Sequence, residues 1–162
     1  MSCSQTFRGI LRDCTPSMGG IVKVWLANYD DGKLTDAGTN VANPESFVPF
    51  EVRRESSAMT STITADPKTQ TRYVTTEVSL VFPYMNDANR KEIENVIASD
   101  MRAIVLDANG KYWYLGSDNP VNVSAGTGQT GTAAGDSNNY AITLQDVSRG
   151  LPLELEGFTP ER

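Results

Sequence analysis

The sequence predicts a mainly β (α+β) fold: an antiparallel β-sandwich or barrel with one flanking α-helix at about 86–100 and a long projecting β-hairpin at about 47–82. Three observations predict it. Runs rich in β-branched and aromatic residues, the types that suit a pleated surface, recur from Ile21 to Val147. The dipeptide Asn109-Gly110 lies between two of them, and Asn-Gly is the strongest short-range hairpin signal. One stretch, Asn86–Asp100, carries its apolar residues at helical rather than alternating spacing.

Residues 1–20 are expected to form an N-terminal arm that ends in the turn-forming cluster Thr15-Pro-Ser-Met-Gly-Gly20. Ile21–Leu26 reads as a strand. Residues 28–44, with Asp30-Asp31-Gly32 and many small polar side chains, read as a long loop of the functional or mobile kind. Phe47–Phe82 reads as one antiparallel hairpin turned at Asp66-Pro67-Lys68. In its second limb Val74, Thr76, Val78, Leu80 and Phe82 share one face at period two, while Thr75, Glu77 and Ser79 take a polar one. A ribbon of that length exceeds what a compact domain needs, so it is expected to project toward a neighbour.

Asn86 or Asp87 can cap the helix, and Ile93, Val96, Ile97 and Met101 form its apolar stripe. Ala103–Leu106 and Tyr112–Leu115 follow as a hairpin, for which Asn109-Gly110 predicts a type I′ turn with φ > 0 at both residues. Then come a short strand at Pro120–Ser124, a glycine-threonine loop at Ala125–Asp136, and a strand at Asn139–Val147 with Tyr140, Ile142 and Leu144 on one face. A last short strand is expected within Leu151–Leu155, and 157–162 as a C-terminal tail. Six to eight strands and one helix make a single domain over 1–162.

Composition narrows the function. Hydrophobic residues are 39% and charged residues 21%, a globular rather than disordered balance. No apolar run approaches the roughly 18 residues of a membrane helix. The first residues lack the apolar core of a signal peptide, so intracellular synthesis is expected, with Cys3 and Cys14 as free thiols. The net charge is −6, and Arg53-Arg54, flanked by Glu51 and Glu55, is the one basic doublet. A chain that grips nucleic acid by its phosphates needs a basic face, which this sequence does not supply.

Motifs for chemistry fail in context. Gly126-Thr-Gly128-Gln-Thr-Gly131 is a formal G-x-G-x-x-G, but the dinucleotide motif works only where its last glycine opens a helix, and a strand pattern follows here. There is no histidine, hence no Ser-His or Cys-His pair. The acids sit in turns, on the outer side of the helix or, for Glu77, on a wet strand face, which argues against a glycosidase pair. Tyr112-Trp113-Tyr114 offers at most two rings to one face, and packing is the commoner use of such aromatics. Asn122-Val-Ser124 matches a glycosylation acceptor without a secretory context. No enzymatic activity, cofactor or metal is expected.

Five segments together resemble a family of small tail proteins from phages and prophages of Bacteroidetes. They are Gly19–Ala27, Phe50–Ser56, Asp87–Arg90, Asp107–Gly116, and Gly131–Asp136 leading to Asn139-Tyr140. Asn139 stands where the family has glycine, and Gln145–Leu155 departs from the family's close. The resemblance implies a tail-tube-like or head–tail connector ring subunit, a homo-oligomer that contacts other virion proteins while DNA passes without specific binding. It implies residence in the virion tail after assembly in the host cytoplasm. Arg53, Arg54, Tyr73, Glu77, Tyr112 and Tyr114 are the residues expected at subunit contacts. An acidic, histidine-free chain suits a passage that must not hold DNA phosphates. The alternative is a non-enzymatic β-sandwich binding module, a virion decoration or host-recognition protein.

Overall fold

The computed structural model describes residues 5–35 and 38–158. Strands β1 (Ile21–Asn28), β2 (Val48–Glu51), β3 (Ala58–Asp66) and β4 (Thr71–Pro83) precede helix α1 (Asp87–Ile97). Strands β5 (Met101–Asp107), β6 (Tyr112–Leu115), β7 (Asn122–Gln129), β8 (Asn139–Ser148) and β9 (Leu153–Leu155) follow it. They form a five-stranded sheet in the order β2-β1-β5-β6-β9 and a four-stranded sheet in the order β3-β4-β8-β7. Every pairing is antiparallel. The expected mainly β architecture with one flanking helix is the one observed.

The alternation in β4 explains why the sheets stack. Val78, Leu80 and Phe82 point inward with Ile142 and Leu144 of β8, against Val24, Leu26, Ala103 and Val105 of the other sheet. Burying these side chains removes apolar surface from water, the main favourable term in folding. Helix α1 adds Ile93 and Val96 to the same core. The Asn86 side chain caps it, accepting the Asn89 N–H at 2.8 Å. The helix ends at Ile97 rather than near 100, and Ile97 itself is exposed.

The five-stranded sheet is buried on both faces. Its outer face presents Trp25, Ala27, Ile104 and Tyr114, which pack with Val41, Phe47, Leu155 and Phe158. Through Leu34 and Val41 the described parts of 28–44 therefore cover this face rather than form a free loop. The expected tail is likewise in place as far as Phe158, whose ring meets Trp25, Phe47 and Tyr112 at centroid distances of 5.2–6.1 Å. Residues 159–162 of that tail, and Cys3, lie outside the described residues; Cys14 is free and exposed.

A buried clasp fastens the cover. Arg102 is 7% exposed, and its Nε donates to the Tyr29 carbonyl at 2.7 Å. Its Nη1 donates to the Tyr114 hydroxyl at 2.6 Å, and that hydroxyl donates to the Gly32 carbonyl at 2.8 Å. The guanidinium also lies 4.1 Å from the centre of the Tyr29 ring. Burial pushes the Tyr114 phenol up from its ordinary pKa, partly offset by the neighbouring Arg102.

Three further features differ from those the sequence predicts. The ribbon expected over 47–82 begins at Ala58: β2 pairs with β1 in the other sheet, and Phe50 lies opposite Val24. The chain crosses between sheets at 52–57, where Glu55 takes φ 60° and the Arg53 N–H donates to the Val81 carbonyl at 2.8 Å. At the β5–β6 turn only Gly110 has positive φ, at 81°, so the turn is not type I′. It is a type I turn with the glycine at the bulge: the Asp107 carboxylate accepts the N–H groups of Asn109 and Lys111 at 2.9 and 3.0 Å and holds the first residues right-handed. Finally, the glycine-threonine loop is strand as far as Gln129, paired along β8.

Candidate functional surface

Strand pairing gives the four-stranded sheet one dry face and one open face, because residues directly opposite one another share a face. On β4 the open face carries Tyr73, Thr75, Glu77, Ser79 and Val81. On edge strand β3 their partners are Thr64, Thr62, Thr60 and Ala58. On β8, Val147, Gln145, Thr143 and Ala141 continue the rows, and on β7 Asn122, Ala125 and Thr127 complete them. The last row of the same face pairs Thr71 with Asp66, so Glu77 and Asp66 are its charged residues, and no paired position on it is lysine or arginine. The surface is hydroxyl-rich, amide-bearing and close to neutral.

The edges of the two sheets are treated differently. In the five-stranded sheet, β2 carries Pro49 and Glu51, and β9 is three residues long. Proline, charge and brevity are the usual guards against pairing with another chain. In the four-stranded sheet, β3 has no charge before Asp66, and β7 has neither charge nor proline. Both of these edges are unpaired among the described residues.

The six residues expected at subunit contacts scatter. Tyr73 and Glu77 stand on the open face, two rows apart on β4, with Tyr73 44% exposed. Arg53 and Arg54 sit in the exposed crossover after β2, and Arg53 donates to the Ser137 hydroxyl at 2.8 Å. Tyr112 and Tyr114 point the other way, under the cover. Tyr112 is half-buried against Trp25 and Phe158, and Tyr114 is 1% exposed, which leaves it no surface for a neighbour. The open face also holds threonines of β3, β7 and β8, which no sequence motif marks. Their polar alternation is visible in Thr60, Thr62 and Thr64, but only the pairing shows which strands it joins.

Nothing among the described residues gathers three histidine, cysteine or acidic side chains into a metal-sized cluster. The glycines of the formal nucleotide motif have a packing reason: a Cβ on Gly128 would stand 3.0 Å from the Tyr140 ring, and one on Gly126 3.1 Å from the Ala141 carbonyl. Gly131 opens a tight loop in which Asp136 accepts the Thr132 and Ala133 N–H groups at 2.9 and 2.8 Å. Those hydrogen bonds hold the Asp136 carboxyl below its ordinary pKa. The site therefore binds its own backbone.

One buried acid is left incompletely satisfied. Asp146, opposite Thr76 on the dry face of the four-stranded sheet, accepts the Gly116 N–H at 3.3 Å through Oδ2, while Oδ1 has no protein partner. Burial raises its pKa. No helix among the described residues is long and apolar enough to cross a membrane.

No family model matches the chain, and no curated protein does. Among solved structures, the SPP1 tail tube, determined by solid-state NMR combined with electron cryomicroscopy, is similar at 17% identity and a TM-score of 0.48. The alignment covers 89% of this chain and 81% of that one. At those values the likeness transfers neither function nor assembly.

Proposed function

We propose that this chain is a structural virion protein of a tailed phage, a subunit that oligomerises into a ring of the tail tube or head–tail connector around the DNA channel. It acts without catalysis or cofactor, in the company of other tail or connector proteins, after assembly in the host cytoplasm. The Bacteroidetes tail family is the one its motifs resemble.

The open face of the four-stranded sheet carries this reading. Duplex DNA presents one phosphate charge per about 1.7 Å of axis, so any lysine or arginine row along a passage would hold it by counterion release. This face has hydroxyls, amides and the carboxylates of Glu77 and Asp66 instead. Along these paired rows a polyanion meets no cation. The unguarded edges of the same sheet support the ring, since a free strand edge pairs readily with another strand. Arg53, Arg54, Tyr73, Glu77 and Tyr112 remain as contact candidates; Tyr114 serves inside the subunit.

Sedimentation and light scattering across a wide concentration range, with electron micrographs of the product, test the proposal. Closed rings with a central opening are expected. A strict monomer, alone and with its neighbouring virion proteins, overturns the proposal, and glycan binding by that monomer favours the binding-module alternative.

A further inference from the structure

The arm that precedes β1 is exposed along its whole described length. Phe7 is 92% exposed, Ile10 102% and Leu11 93%, the most exposed large apolar side chains among the described residues. Three such side chains within five positions form an apolar patch with no cover in their own subunit, the kind of feature that marks an interaction site. The root of the arm is fixed. The Met18 N–H donates to Asn109 Oδ1 at 2.9 Å, and Asn109 Nδ2 donates to the Met18 carbonyl at 3.1 Å. Arg8 and Arg12 are interleaved with the apolar residues.

A complementary groove of about 400 Å³ runs between β2 and α1. Val48, Phe50, Phe82 and Ile93 supply apolar walls, and the exposed residues Glu51 and Glu92 also line it, Glu51 at the rim opposite Lys23 of β1. Val48 is 54% exposed within its own subunit. A second groove, on the other side of α1, carries Arg90 as well as Glu94 and so matches a basic segment less well.

We infer that the N-terminal arm of one copy docks in the β2–α1 groove of a second copy, with Phe7, Ile10 and Leu11 in the apolar channel and Arg8 and Arg12 against Glu51 and Glu92. Every copy carries both halves of this contact at different places, so it is head-to-tail and repeats from copy to copy. The inference rests on the assembly reading above in that it needs a second copy. It adds a contact that the free edges of β3 and β7 do not use.

The test uses the full chain. The triple variant F7D/I10D/L11D removes the arm's apolar residues without touching the fold, and a labelled peptide of residues 5–18 is titrated onto it by fluorescence anisotropy. Saturable binding is expected, weakened about tenfold or more by E51R/E92R in the receptor chain. A peptide carrying R8E/R12E is expected to recover affinity for that reversed groove. Absence of binding, or binding indifferent to E51R/E92R, overturns the inference. Micrographs separate the two readings: rings formed by a chain whose groove takes no peptide keep the ring and remove the arm contact. Charge-swapped rescue in a chain that never closes a ring keeps the arm contact and removes the ring.

Discussion

Replacing Tyr114 by phenylalanine keeps the ring and deletes one oxygen, and the structure says what that oxygen does. It accepts from Arg102 Nη1 at 2.6 Å and donates to the Gly32 carbonyl at 2.8 Å, inside a region where Tyr114 is 1% exposed. The first bond has a charged donor, worth about 1.5–3 kcal/mol; the second is neutral, worth about 0.5–1.5 kcal/mol. Arg102 Nη1 and the Gly32 carbonyl would each lose their partner in a buried place, while Arg102 keeps its Nε bond to Tyr29. The cost of an orphaned polar atom falls in the same range. A loss of about 2–4 kcal/mol is therefore expected for Tyr114→Phe, lowering Tm by roughly 5–15 °C in a chain of this size. Urea unfolding followed by circular dichroism measures it. Pairing the variant with Arg102→Met in a double-mutant cycle isolates the Arg102–Tyr114 bond. A loss under about 0.5 kcal/mol would refute the clasp as a stabilising element.

Three further outcomes follow from particular groups. Asp146 has a folded-state pKa raised above the ordinary 3.8 by burial, so whatever stability its neutral form contributes is complete below that value and lost as pH rises through the folded pKa. Asp146→Asn, which keeps an oxygen for the Gly116 N–H, is expected to gain on the wild type as pH climbs from acid to neutral; a stability difference constant with pH would count against it. Gly110 has φ 81° with nothing near its missing Cβ, whereas Gly116 has φ 94° with Arg102 atoms 3.2–3.3 Å away. Gly110→Ala is expected to cost about 1–2 kcal/mol and Gly116→Ala distinctly more, as read by chemical denaturation. Glu77→Lys on the open face is expected to leave stability within about 0.5 kcal/mol while making assembled particles retain DNA at low salt. Filter binding across a salt series decides it, and retention equal to the wild type sinks the channel-facing assignment.

Local chemistry made some elements legible and long-range pairing hid the others. The period-two run from Val74 to Phe82 gave β4 and its buried face, because alternation follows from strand geometry alone. Asn86 followed by Ile93 and Val96 gave α1. Asn109-Gly110 located the hairpin but not its turn, since the deciding contact is the Asp107 carboxylate two positions earlier. Phe50 and Val52 alternate as a strand should, yet alternation does not name the partner, and β2 went to β1 instead of β4. Glycines at 126 and 128 read as loop because glycine is poor in strands, but the tight approach of Ala141, Ile142 and Tyr140 leaves no room for a larger residue there. The continuous apolar stretch Ala103–Leu106 already carried the sign that its sheet is buried on both sides. The cover that buries it, Val41, Phe47 and Phe158, comes from segments without periodicity of their own.

The two sheets thus do different work. The five-stranded sheet is dry on both faces, closed at its edges by Pro49, Glu51 and a three-residue β9, and fastened by the Arg102–Tyr114 clasp. What this sheet leaves open is the β2 side of the groove beside α1, where Val48 and Phe50 stand. The four-stranded sheet is dry on one side only; its edge strands carry no proline and no charge but Asp66, and β7 shifts register between Val123 and Ala125. Free strand edges are an aggregation hazard for a monomer, and in the ring proposed above both would pair with neighbouring copies. When both edges belong to one sheet, pairing with copies on each side extends that sheet sideways, and its twist and curvature decide whether the extension closes. The surface that pairing of this kind would make continuous is the threonine-rich one, whose paired rows hold the carboxylates of Glu77 and Asp66 and no cation.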